Sequence, residues 1–284
     1  VSRMAHGGTS GTGSPVSRNK NAMFGLTLFV ILVLAIIIVP IVSPYQYDKM
    51  DVMAIKQGPS SAHLFGTDDL GRDIFTRVFY GGRYSLSISI AAVLFSTAIG
   101  TVVGAIAGYF GGAADTVIMR LLDVIQAIPS MLLTIIISAA LGVGIDKTII
   151  AIAVGTIPGN VRLLRGTVMQ TRENQYLEAA EAIGCSTARR IMKYVIPNSW
   201  SPLIVSATMG VAKAILELAA LSYIGLGVQP PTPEWGAMLA GARGFLRDYP
   251  YMLIFPGLFI AISVLCLNMF GDGLRDALDP KLKD

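Results

Sequence analysis

Charge is what this chain has least of. Only 14% of its 284 residues are Asp, Glu, Lys or Arg, whereas soluble domains carry about 25%. Hydrophobic residues make up 53%, and the mean hydropathy of +0.63 excludes an ordinary soluble domain. Cysteine is nearly missing: Cys185 and Cys266 stand too far apart to frame a disulfide scaffold or a metal site. His6 and His63 have no acidic or Cys cluster at ligand spacing, so no metal is expected. No Ser/His, HExxH or paired-aspartate arrangement is present, and no catalytic residue is expected. The glycines Gly7, Gly8, Gly11 and Gly13 are not a phosphate loop, because no Gly-Lys-Ser/Thr follows them. If ATP drives this protein, another chain hydrolyses it. No basic stretch is interleaved with aromatics, so nucleic acid is excluded and the net charge of +4 is assigned to membrane orientation.

What the chain does have is uncharged runs of bilayer length. Phe24–Tyr47, Tyr84–Ala114, Val124–Ile145, Ser201–Leu226 and Tyr249–Gly271 read as spans, with Thr148–Val161 a shorter sixth. The first is too long for a signal peptide and lacks a small-residue cleavage site, so it reads as uncleaved. The expectation is an all-α membrane protein with six transmembrane helices, at about 24–43, 84–110, 124–144, 147–164, 201–226 and 249–271. Residues 1–22, rich in Gly, Ser and Thr, read as a disordered tail, and 23–284 as one transmembrane domain. Basic residues moderately favour an inside N-terminus, and six spans put both ends on that side.

Four features ask for a role. Gly100, Gly104 and Gly108 recur every fourth residue, the stripe that lets a second helix approach closely. Lys213 and Glu217 interrupt the fifth run near the bilayer midplane, one turn apart. They read either as part of a translocation path or as a self-neutralised structural pair. Asp68, Asp69, Arg72, Asp73 and Arg77 form a dense cluster outside, for contact with a partner or for mutual salt bridges. Asp123 is placed to cap the third span and Trp235 to sit at the membrane–water interface.

The fourth feature is the polar stretch of residues 165–200. Gln170–Ile183 has helical composition, with Tyr176, Leu177, Ala180 and Ile183 spaced to share a face. Gly184 breaks it, Ser186 is the expected N-cap of a helix over Thr187–Val195, and Pro197 should end that helix. The unit is either a knob for a soluble partner or a hairpin joining two spans.

Glu178-Ala179-Ala180, Gly184 and Pro197 resemble the EAA signature of permease subunits of ABC importers. Tyr194 departs from that pattern, which favours an aliphatic residue there. Phe65–Asp73 with Arg77 and Gly81, the stretch Gly225-Leu226-Gly227 with Gln229–Pro231 and Pro233–Gly236, and the tail Gly271–Pro280 are similar to dipeptide and oligopeptide permeases. The resemblance is closest to their second, six-span subunit. It implies a type I (MetI-like) ABC-importer permease fold, N-in and C-in, in a bacterial or archaeal cytoplasmic membrane. It also implies a non-catalytic subunit paired with a homologous permease subunit, two ATPase subunits that bind ATP and Mg, and an extracytoplasmic substrate-binding protein. In such a transporter Glu178, Ala179, Ala180, Gly184 and Pro197 couple the ATPases to alternating access, and peptide is the implied cargo. Related permeases carry nickel chelates, glutathione or antimicrobial peptides. A stand-alone secondary transporter or channel is the alternative of another class, but it leaves the helix–Gly–helix loop unexplained.

Overall fold

A computed structural model describes residues 20–278, and their regular structure is helical apart from one isolated bridge between Thr67 and Asp73. In chain order the helices are α1 (Lys20–Val42), α2 (Ile74–Phe110), α3 (Gly112–Gln126), α4 (Ser130–Leu141) and α5 (Ile145–Arg172). Then come α6 (Gln175–Ala182), α7 (Thr187–Arg190), α8 (Ile196–Asn198), α9 (Trp200–Tyr223), α10 (Trp235–Ala242) and α11 (Tyr251–Leu278). Five of these, α1, α2, α5, α9 and α11, are long and apolar enough to cross a membrane. A sixth crossing needs α3 and α4 together, and these are bent by 84° at their junction.

That bend corrects the expected straight span over 124–144. Pro129 biases Ile128 out of helical geometry, so the apolar run breaks and restarts at Ser130. Asp123 therefore lies inside α3 rather than capping a span, and it pairs with Arg162 at 2.5 Å. Other ends differ because charges are paired between elements. The Asp73 carboxylate accepts from the Thr76 N–H at 2.7 Å and starts α2 ten residues before the expected 84, with Arg77 inside it. Arg165 pairs with Asp115 of α3, and Arg172 donates to the Tyr109 carbonyl at 2.9 Å, which carries α5 on to Arg172. The polar loop thus spans 173–199. The first helix takes in residues 20–22 of the expected tail, and the rest of that tail lies outside the described residues.

The glycine stripe is the seam between α2 and α5. A Cβ on Gly100 would lie 2.5 Å from the Asn160 Cβ, one on Gly104 2.7 Å from the Val161 carbonyl oxygen, and one on Gly108 2.8 Å from the Arg165 carbonyl oxygen. Ser43 Oγ lies 2.6 Å from Thr76 Oγ1, joining the end of α1 to the start of α2, and Tyr251 donates to the Thr67 carbonyl. These contacts set the N-terminus of α1, the C-terminus of α2, loop 173–199 and the end of α11 at one end of the bundle. Residues 43–73 and 224–250 occupy the other.

Candidate coupling loop and transport cavity

The loop begins where α5 stops at Arg172. Asn174 is extended, and α6 starts at Gln175 rather than at the expected Gln170. Gly184 (φ +74°) reverses the chain, and the Cys185 N–H bonds the Ala180 carbonyl at 3.0 Å, the i to i−5 closure of a Schellman end. A Cβ at Gly184 would meet nothing within 4 Å, so only its backbone angle demands glycine. Arg190 of α7 pairs with Glu181 of α6 at 2.5 Å, closing the knob across the glycine, and that contact raises the guanidinium pKa. Ser186 is extended at the N-cap position but makes no side-chain cap.

Pro197 does not end the helix, contrary to expectation. Residues Ile191–Val195 form a π turn in which the Ile196 N–H reaches the Ile191 carbonyl, and Pro197 then falls in the first turn of α8, where its missing N–H is tolerated. Asn198 Nδ2 bonds the Tyr194 carbonyl at 2.5 Å and Ser199 Oγ bonds the Val195 carbonyl at 3.0 Å. The helical path is thereby carried into α9.

One face of the knob is sealed. Leu177, Ala180 and Val195 are buried, and Leu177 and Val195 cluster with Ala105 of α2, Leu164 and Val168 of α5 and Leu203 of α9. Tyr109 packs on that cluster, with the Arg172 and Arg190 guanidinium carbons each 5.9 Å from its ring centroid. Tyr194, the departure from the family pattern, packs there too. The other face is open. Glu178, Ala179 and Pro197 are exposed, and Ile183 is 84% exposed.

Beside the knob lies a cavity of about 1190 Å³ between the α3–α4 break, α5 and α9. On α9 its wall runs from Ser201 to Lys213; on α5 it runs from Gln170 back to Gly155. Lys213 and Glu217 do approach each other, Nζ to Oε1 3.7 Å, but they are not equivalent. The lysine side chain is 58% exposed on the cavity wall; that of Glu217 is 8% exposed, lies off the wall, and keeps Oε2 without a hydrogen-bond partner.

At the opposite end, Asp68, Arg72, Asp73 and Arg77 have intramolecular partners. Arg72 Nε reaches Asp68 Oδ2 at 2.7 Å, Arg77 Nε lies 3.5 Å from that same oxygen, and Arg77 also donates to the Tyr47 carbonyl at 2.6 Å. Asp73 caps α2 while contacting His63 Nδ1 at 2.9 Å. Arg72, Asp73 and Arg77 are buried; Asp69 is half-buried in a small recess between this segment and α10. Trp235 is fully buried rather than interfacial: its indole N–H donates to the Val78 carbonyl at 2.8 Å, and the preceding Pro233 carbonyl packs where a Cβ on Gly81 would be.

Residues 100–284 match the family described as binding-protein-dependent transport system inner membrane component, and residues 16–59 match the N-terminal transmembrane domain of oligopeptide transport permease C. The chain belongs to this permease family. A dipeptide transport system permease protein of Alkalihalophilus pseudofirmus is 46% identical over 268 residues, covering 94% of this chain and 88% of that one. The Haemophilus influenzae dipeptide permease protein is 43% identical, covering 94% and 92%. A glutathione transport system permease protein of Pectobacterium atrosepticum is also 43% identical, covering 90% and 86%. The fold matches an inward-facing methionine ABC transporter with a TM-score of 0.57 at 17% identity, over 70% of this chain and 94% of that one.

In the permease, Ala180 turns inward and Ile183 outward, although their spacing had placed both on one face. The short α6 ends at Ala182, and the glycine turn rotates Ile183 away from the helix stripe. A bulky apolar residue immediately before a reversing glycine was the available signal. Tyr109 gave none, because only the fold brings Arg172 and Arg190 onto it.

Proposed function

We propose that this chain is the pore-forming, non-catalytic subunit of an ATP-driven importer that moves di- or oligopeptides into the cytoplasm by alternating access. The observation that carries the reading is the two-faced knob: Glu178, Ala179 and Ile183 are offered to solvent while Leu177, Ala180 and Val195 turn inward against the bundle. A displacement imposed on the open face passes through a sealed apolar contact into three spans that border the cavity or its seam. The partner ATPases bind ATP and Mg, and their closure supplies that displacement. A homologous permease subunit completes the pathway, and a binding protein delivers cargo at the end formed by residues 43–73 and 224–250. The knob end, with the start of α1 and the end of α11, faces the cytosol, and the peptide assignment draws on the dipeptide and glutathione permeases among the relatives.

The test is uptake in membranes or proteoliposomes holding the full transporter. Gly184→Pro forces φ from +74° towards about −65°, and Glu178→Lys reverses the exposed charge. Both variants are expected to reach the membrane and to hydrolyse ATP without accumulating peptide. Normal peptide uptake by both would refute the coupling role. A stable complex purified without any ATPase would instead favour a secondary transporter or channel.

A further inference from the structure

The cavity wall is more apolar than polar, with Leu133, Leu163, Val205 and Met209 among its lining, and its polar lining is mostly uncharged, as at Ser201, Ser206, Asn198 and Gln170. Its charged lining residues, among those described, are Lys213 and Arg275, both cationic; no carboxylate reaches the wall. Lys213 is the last α9 residue of that wall, about 18 Å from Ser201 along the helix, so it stands at the membrane-interior end. Glu217 lies behind it. The separation of 3.7 Å holds the ammonium by charge without a short hydrogen bond, and the lysine side chain stays exposed on the cavity wall.

We propose that Lys213 is the anion-recognising residue of the pathway and that its ligand is the carboxylate of the transported solute. This rests on the reading of the chain as a peptide permease, for which the ligand group is the peptide's own carboxylate. Glu217 acts through Lys213 as a positioning residue: it cancels most of the ammonium's charge at long range, so a carboxylate is favoured at contact distance yet is free to leave. The arrangement separates a pair of opposite charges into one that faces cargo and one that does not.

The experiment uses the assembled transporter with Cys185→Ser, Cys266→Ala and a reporter Ser206→Cys, two helical turns from Lys213 on the same wall. Modification of the reporter, read by mass spectrometry of this chain, is timed with a sulfonate-bearing and a trimethylammonium-bearing methanethiosulfonate. Lys213→Gln is expected to lower the anionic-to-cationic rate ratio about tenfold. It should also slow uptake of a peptide with a free carboxylate about tenfold, while Lys213→Arg preserves both within about twofold. Lys213→Gln combined with Glu217→Gln serves if the single variant fails to assemble, and is read by uptake alone because it leaves the net local charge the same; unchanged uptake of the free-carboxylate peptide by it overturns the proposal. In the single variant an unchanged ratio overturns the proposal whatever uptake does. A shifted ratio with unchanged uptake overturns the cargo assignment. A shifted ratio in a transporter that takes up no peptide at all upholds the anion site and refutes the peptide reading instead.

Discussion

Ile183 gives the sharpest test of how the permease meets its motor. At 84% exposure it contributes little to this subunit's own packing, so its replacement should leave the thermal unfolding of the isolated subunit unchanged. If the residue is buried on docking, Ile183→Ala removes three carbons from the contact. At about 0.8 kcal/mol per buried methylene the loss is about 2.4 kcal/mol, or about fiftyfold in affinity. Ile183→Asp adds the desolvation of a carboxylate, several kcal/mol more, and should abolish association. The assay titrates the ATPase subunits against the permease pair in detergent and reads bound fraction. The graded order wild type, Ala, Asp is expected, with uptake following it. Affinity within twofold of wild type for Ile183→Asp would show that the exposed tip is not the docking point.

Gly104→Val forces a branched side chain against the Val161 carbonyl oxygen, 2.7 Å from where its Cβ must sit. Overpacking of this kind costs about 1–3 kcal/mol, and thermal unfolding in detergent should fall accordingly. Glu234 caps α10, accepting from the Gly236 and Ala237 N–H groups at 3.0 and 2.9 Å and from Ser85 Oγ at 3.1 Å, yet burial wins and pushes its carboxyl pKa up. A raised carboxyl pKa means that the folded state holds the proton more tightly than the unfolded one. Its contribution to stability is therefore greatest below the ordinary carboxylate range and falls as pH rises from that range through the raised folded value. Measured against Glu234→Gln, the wild type should lose relative stability as pH rises across that window; a flat difference would show the carboxylate to be fully compensated.

Hydropathy made most of the bundle legible, because lipid-length runs without charge have few other uses. It misplaced the ends wherever a charge is satisfied inside the protein. Arg77 was read as lying outside α2, but Asp68 and the Tyr47 carbonyl hold it within the first turn. Arg165 was read as the start of the loop, and Asp115 holds it on α5, as Asp123 holds Arg162 one turn earlier. Pro129 breaks a run that composition alone read as one span, while Pro197 was given a stop that a π turn avoids. The glycine stripe was read correctly as a packing surface, and the fold adds that its partner is α5. Lys213 and Glu217 could be paired by spacing, but nothing linear tells which of two residues on adjoining turns faces a cavity.

The π turn has a mechanical consequence. It shifts the helical register between the knob and α9 by about one residue, a rotation of about 100° around the axis. Beyond it α9 runs 24 residues, about 36 Å, and its far half is the more tightly held: Ala212, Ala214, Ile215, Leu218 and Leu221 are buried among residues of α2, α5 and α11. A push delivered at the knob therefore reaches Lys213 only by carrying those neighbours along, so the bundle moves as a block and α9 does not swing as a free lever.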